Sequence, residues 1–151
     1  MGLGSQPFDS EGVTSNKIEL VKNGKLQNIF LDTYHANILK MQTNGRSGGS
    51  TNLFFENGKI TLDAMILDQK KALYITDLIG RGSDTITGDY SVGASGILIE
   101  NGELSYAVNE ITIAGNLLEM YKNLTLANDL EFIYATNSPS IIIDKMTIAG
   151  K

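Results

Sequence analysis

Residues 88–116 read GDYSVGASGILIENGELSYAVNEITIAGN, and this stretch decides the fold. Two apolar runs, 96–100 and 103–108, flank the dipeptide Asn101-Gly102. A two-residue turn of type I′ needs a positive φ at both central positions, and Asn-Gly meets that need at the least steric cost. Pairing across the turn sets Ile99 opposite Leu104 and Ile97 opposite Tyr106, giving one apolar face. Ser105, Glu100 and Glu103 fall on the other face, with Leu98 as an apolar exception among them. Beyond Val108 the apolar set continues out of phase at Ile111 and Ile113, which predicts a bulge or bend at Asn109-Glu110. Gly115-Asn116 then stops the strand, and Asn116 caps a helix carrying Leu117, Met120, Tyr121 and Leu124 on one face.

Working outward, two more Asn-Gly pairs predict turns. Residues 17–31 form a hairpin about Asn23-Gly24, with Ile18, Leu20, Ile29 and Leu31 on one face. Residues 53–61 form another about Asn57-Gly58, with Glu56 and Lys59 as an opposite-charge pair. Asp32 or Thr33 caps a short helix with Tyr34, Ile38 and Met41 at helical spacing. Thr61 caps the best helix, with Leu62, Met65, Ile66 and Leu73 as its apolar stripe and Lys70-Lys71 near its end. Residues 72–79 are β-like, and 130–135, 140–143 and 146–149 are further strands. Residues 2–16, 43–52 (TNGRSGGSTN) and 80–88 (GRGSDTITG) are loops, the second flexible and at the surface. The expected architecture is α+β and predominantly β. Curled antiparallel sheet, closed as a barrel or a sandwich, carries two or three short helices.

Composition narrows the function classes. A chain of 151 residues builds one domain, 1–151. No apolar run approaches the roughly 20 residues of a membrane helix, so no membrane role is expected and a cytoplasmic location fits. The chain has no cysteine, hence no disulfide, no thiolate ligand and no thiol nucleophile. Its net charge of −5 argues against nucleic acid, because a phosphate-binding domain carries a basic surface.

Candidate chemistry is sparse. A hydrolytic zinc site takes about three His, Asp, Glu or Cys ligands and a general base. His35 is the single histidine, expected on the flank of a short helix without a chemical role. Gly93-Ala94-Ser95-Gly96 is no nucleophile elbow; small residues there suit a strand passing close to another backbone. Asp84 and Asp89 bracket a turn without the spacing of a calcium loop. Residues 45–49 (GRSGG) lack the strand–loop–helix frame of a phosphate loop and read as a mobile linker. Asn123-Leu124-Thr125 is a glycosylation sequon by letter only. Glu100 and Glu103 face each other across the central turn, either as a solvated tip or as a contact for a basic residue of another chain.

Several blocks in one order resemble the TldD/PmbA family: GLGSQPFDSEG (2–12), LDTYHANILKMQTNG (31–45), GDYSVGASG (88–96), the ENG turn, NEITIAGNLLEM (109–120), NDLEF (128–132) and SPSIIIDKMTIAG (138–150). That family, historically called "modulator of DNA gyrase", comprises bacterial zinc metalloproteases, and the resemblance covers residues 2–151 of this chain as its C-terminal region. The resemblance implies a longer N-terminal region that this chain lacks, with Met1 an added initiator. It also implies that the catalytic branch carries HExxxH in that N-terminal region and a cysteine near the C-terminus. Residues 134–140 (YATNSPS), which match the cysteine's region, contain none, and this places the chain with the PmbA (TldE) branch. The expectation is therefore a non-catalytic domain with no catalytic residue and no metal ligand. Zinc is expected only in a TldD-like catalytic subunit, with which this one encloses a cavity for unfolded peptides. Such a complex would serve peptide-antibiotic maturation or small-protein breakdown. Leu98, Glu100, Glu103, Ser95 and Asn109 are the candidate contacts for that partner or peptide. The alternative is a structural or regulatory interaction module without proteolysis, and a gyrase or DNA role ranks last. The isolated domain is expected to form a homodimer.

Overall fold

The computed structural model describes residues 2–150; Met1 and Lys151 lie outside the described residues. In chain order the elements are β1 (Val21–Lys22), β2 (Lys25–Leu26), α1 (Thr33–Leu39), β3 (Leu53–Phe54), α2 (Leu62–Leu67), β4 (Lys71–Ile79), β5 (Asp89–Glu100), β6 (Glu103–Asn116), α3 (Leu117–Lys122), β7 (Leu124–Leu126), β8 (Thr136–Asn137), β9 (Ile141–Ile143) and β10 (Thr147–Ala149). Strands hold 38% of the residues against three short helices, so the fold is α+β and predominantly β. Among the described residues no sheet closes into a barrel. Contacts group the chain into two compact units, Met1–Phe55 with Glu131–Ser138, and Glu56–Leu130 with Pro139–Lys151.

The second unit is built on the central hairpin. Its main sheet runs β10-β6-β5-β4, antiparallel throughout. Asn101 (φ 52°) and Gly102 (φ 84°) occupy the two left-handed positions of the turn, as the Asn-Gly pair requires. Ile99 faces Leu104 as expected, but Ile97 faces Ala107 rather than Tyr106. The reason is a bulge: Ser105 and Tyr106 together stand opposite Leu98, a slip invisible in a pattern that is apolar on both faces. The bulge expected at Asn109-Glu110 is present, because Gly96 pairs with Val108 while Ala94 pairs with Ile111. Glu110 takes a positive φ of 52° there.

Alternation along β5 then sorts the two faces. Val92 and Ala94 form the buried core with Ile111 and Ile113, packed by Leu73, Ile75, Tyr90, Val108 and Met146. Leu98, opposite Leu73, continues that core face and is half-buried, so it is no exception on a polar side. Ile97 and Ile99 lie on the other face, where Ile99 is buried.

The helices begin where their caps predict. Asp32 Oδ1 accepts from His35 N, Thr61 Oγ1 from Ala64 N, and Asn116 Oδ1 from Leu118 N. They end sooner than the apolar spacing suggests. α2 stops at Leu67, and Lys71 already belongs to β4. Lys40 terminates α1 at a left-handed φ of 54°, which leaves Met41 outside. Tyr34, Ile38 and Met41, the residues at helical spacing, are all exposed, and Ala36 is the residue α1 buries.

Three further expectations fail, two through pairing with residues distant in sequence and one through a local side chain. Asn57-Gly58 makes no hairpin: Gly58 lies so near Leu126 O that a Cβ would sit 1.7 Å from it, and Gly58 N–H donates to Ala127 O. Residues 130–135 form no strand; the backbone N–H groups of Ile133 and Tyr134 both donate to the side chain of Asn137. Leu124, assigned to the helix face, instead begins β7, opposite Ile143. The Asn23-Gly24 turn is present with φ 49° and 73°, but its ladder is only two residue pairs long.

Candidate functional site

The side chains proposed for partner contact sort into two places on the central hairpin. Glu100 and Glu103 are directly opposed at its tip, both exposed, and Ser105 Oγ donates to Glu100 Oε2 at 3.0 Å. That hydroxyl softens the like-charge contact, and the tip presents acid to solvent. Ser95 and Asn109 come together around the second bulge, since Gly96 and Ala94 on one strand bracket Val108 and Ile111 on the other. Ser95 pairs with Asp77, its carbonyl accepts from Thr76 Oγ1 at 3.3 Å, and it has no imidazole partner among the described residues. Leu98 stands between the two places on the core face.

Beside the tip lies an open apolar depression of about 500 Å³, lined by Asp63, Ala64, Ile66, Leu67, Gly102 and Leu104. The backbone around α2 builds it. Lys70 O accepts from Asn101 N at 2.9 Å and Gln69 O from Gly102 N at 2.8 Å, so the chain leaving α2 clasps the turn. Leu67 and Leu104 are exposed there, and the charged side chains about it are Asp63, Glu100 and Glu103 with Lys70 and Lys71, the latter opposite Glu100.

The first unit contains a tighter device that the sequence pattern did not single out. Asp9 is buried, and its carboxylate accepts backbone N–H groups of Glu11, Val13 and Ser47, each at 3.0 Å. Burial alone would raise its pKa; the three amide donors and nearby Arg46 hold it below the ordinary value of 3.8. Arg46 also donates to Asn16 O, Ser15 Oγ to Gly45 O, and Asn44 Nδ2 to Ile29 O. Residues 43–52 are thus tied down along their length and are not a free linker. The Asp-Ser-Glu-Gly string at residues 9–12 is a turn signature that could have announced Asp9.

The remaining acids serve local geometry. Asp84 Oδ1 accepts from Ile86 N and Thr87 N, which lowers its pKa, and Asp89 Oδ2 accepts from Thr87 Oγ1. Asp129 is held low first by the Ser140 hydroxyl and then by the Ser140 amide. His35 is exposed, with Nδ1 donating to Asp32 Oδ1 at 2.8 Å. Among the described residues no group of three or more His, Cys, Asp or Glu could hold a metal ion. A zinc ion of the hydrolytic type takes three protein ligands and an open position, and the His35–Asp32 pair on one helix end does not fit it.

The fold is that of a mostly antiparallel α+β domain with capped helices and an acidic hairpin tip, and among the described residues no metal centre is assembled. Its residues 1–150 match the profile of the PmbA/TldA metallopeptidase C-terminal domain, and the chain belongs to the PmbA/TldD family. It is 40% identical to the metalloprotease PmbA of Escherichia coli O157:H7 over 151 residues, covering 99% of this chain and 34% of that protein. A proposed modulator of a DNA gyrase from Thermotoga maritima superposes with a TM-score of 0.91 at 29% identity, over 98% of this chain and 36% of that one. TldE from Thermococcus kodakarensis superposes at 0.81 and 28%, over 96% and 36%. The chain spans about a third of the length of these relatives. Among the described residues no helix is long and apolar enough to cross a membrane.

Proposed function

We propose that this chain is the C-terminal domain of a PmbA/TldE-type subunit that pairs with a zinc-bearing TldD-like subunit in the cytoplasm, and that it contributes surface rather than catalysis to the cleavage of unfolded peptides. The observation that carries this reading is the state of the single histidine. His35, the one imidazole in the chain, is engaged with the cap of an exposed helix. With no cysteine in the chain, the ligand types that a peptidase zinc prefers are nearly used up. The kinship with metalloprotease PmbA supports a place in proteolysis. Exposed backbone edges and apolar side chains, among them Leu67 and Leu104, supply what an extended peptide or a partner strand needs.

The test has two arms. Metal analysis of the purified, untagged chain is expected to find far less than one zinc per molecule, with no cleavage of an unfolded peptide. A TldD-like subunit carrying its own zinc is expected to retain this chain through gel filtration. One tightly held zinc per chain, or cleavage by the chain alone, overturns the non-catalytic reading. Failure of the two chains to associate favours the second reading, an interaction module outside proteolysis, which the exposed apolar residues also suit. A gyrase or DNA role stands against the net charge of −5.

A further inference from the structure

The main sheet ends on β4, and among the described residues no strand pairs with its outer edge. The direction of its backbone groups follows from the central turn. Glu100 and Glu103 flank a two-residue turn and so face each other with their backbone groups, and by alternation Ile99 and Ile97 face β4. Ala72 and Tyr74 therefore turn toward β5, opposite Ile99 and Ile97, while Lys71, Leu73 and Ile75 present N–H and C=O groups outward. Sheet edges are commonly guarded by proline or by charges along the strand, but residues 71–75 (KALYI) hold no proline and one charge, at their first position.

The side chains along this edge complement themselves. Lys70, Ala72 and Tyr74 share one face by alternation. β4 carries one extra residue between Ile75 and Asp77 relative to β5, and this bulge at Thr76 shifts the phase, so Asp77, opposite Ser95, returns to that same face. A two-fold axis through Leu73 sets Leu73 against Leu73 of a second copy and Lys71 against Ile75, all outward-facing, so each facing pair can exchange two backbone bonds. In that register Ala72 meets Tyr74, and with the bulge absorbed Lys70 meets Asp77. Both charged side chains are exposed, and neither takes part in an ion pair among the described residues.

From this register we infer that the outer edge of β4 is a homodimerisation surface, joining two copies into one continuous antiparallel sheet with a Lys70–Asp77 contact at each end. This goes beyond the proposed function and stands without it. The occupant is a second copy because the strand's charges and its bulge complement the same strand reversed.

Sedimentation over a concentration series tests it with a charge swap. The wild-type chain is expected to dimerise reversibly. Lys70→Asp and Asp77→Lys should each weaken the dimer by about tenfold or more, because two attractive contacts become repulsive. An equimolar mixture of the two variants should restore it, since every contact is then again between opposite charges. Lys71→Pro is a second probe; it removes an outward N–H without touching a bond to β5 and should give a folded monomer. Circular dichroism reports that each variant is folded. A wild-type chain that stays monomeric up to its solubility limit overturns the inference. So do single variants that dimerise like the wild type, a mixture no tighter than its components, or a Lys71→Pro chain that still dimerises.

Discussion

Two Asn-Gly turns of the same backbone type allow one glycine substitution to be divided into its causes. Gly24 and Gly102 have nearly equal left-handed angles, φ 73° and 84°. A side chain at either position meets the backbone cost of the left-handed region, about 1–2 kcal/mol. Their surroundings differ. A Cβ on Gly24 would have nothing within 4 Å, whereas one on Gly102 would lie 2.7 Å from Leu67 O and 3.2 Å from Leu67 Cα. Leu67 ends α2, and the residues after it hold Asn101 N and Gly102 N by hydrogen bonds, so the obstructing atoms are backbone that can yield only by loosening the clasp. Forcing a methyl into such a contact costs about 1–3 kcal/mol more. Gly102→Ala is thus expected to destabilise by about 2–5 kcal/mol, and Gly102→Val by more. Gly24→Ala should cost at most about 1 kcal/mol, because a ladder of two residue pairs can fray to release the strain. Urea unfolding of both alanine variants, with far-ultraviolet circular dichroism as the signal, compares them directly. Equal midpoints, or a larger loss at Gly24, would refute the claim that α2 clasps the central turn.

Glu110→Gly should raise the unfolding midpoint, by about 0.5–1 kcal/mol, since it relieves a non-glycine residue at φ 52° in the second bulge; a lower midpoint would show that the carboxylate supports the bulge. Asn116→Ala removes the cap of α3 and the bond from Asn116 Nδ2 to Thr87 O, and about 1–2 kcal/mol should be lost in the same denaturant series. Asp9, Asp32, Asp84 and Asp129 are all held below the ordinary value of 3.8 in the folded chain. Their contribution is present above that value and is lost as pH falls through the lowered folded values, so thermal unfolding should be flat near neutrality and decline from about pH 4 downward. Asp9→Asn should make that acid limb shallower.

Local rules were legible wherever one residue answered one backbone need. Asn-Gly at residues 23–24 and 101–102, and Asp32, Thr61 or Asn116 before a helix, each satisfy a requirement within a few residues, and these features stand where the sequence places them. The bulge at Asn109-Glu110 could be read because the apolar set visibly changed phase. The bulge at Ser105-Tyr106 could not, because the residues about it are apolar on both faces and a slip leaves no mark. Asn57-Gly58 shows the limit of turn chemistry. Its glycine is required by the close passage of Leu126, distant in sequence, and not by a left-handed angle. The acidic hairpin tip was legible for the same local reason as the turn that makes it. Asp9 was missed because part of its meaning lies in Ser47, which only the fold brings to it.

The helical spacing of Tyr34, Ile38 and Met41 has a different limit. Helical periodicity states that one face is apolar, and burial of that face is an added assumption about where the covering atoms come from. Within this chain α1 buries only Ala36, and the hydrophobic side chains of its stripe stay in solvent. The same holds for β4, whose apolar edge ends the sheet without a neighbouring strand among the described residues. Apolar side chains left in solvent in this way are what an association surface requires. An exposed strand edge and an acidic turn, rather than a pocket of catalytic groups, are therefore the features of this chain suited to association.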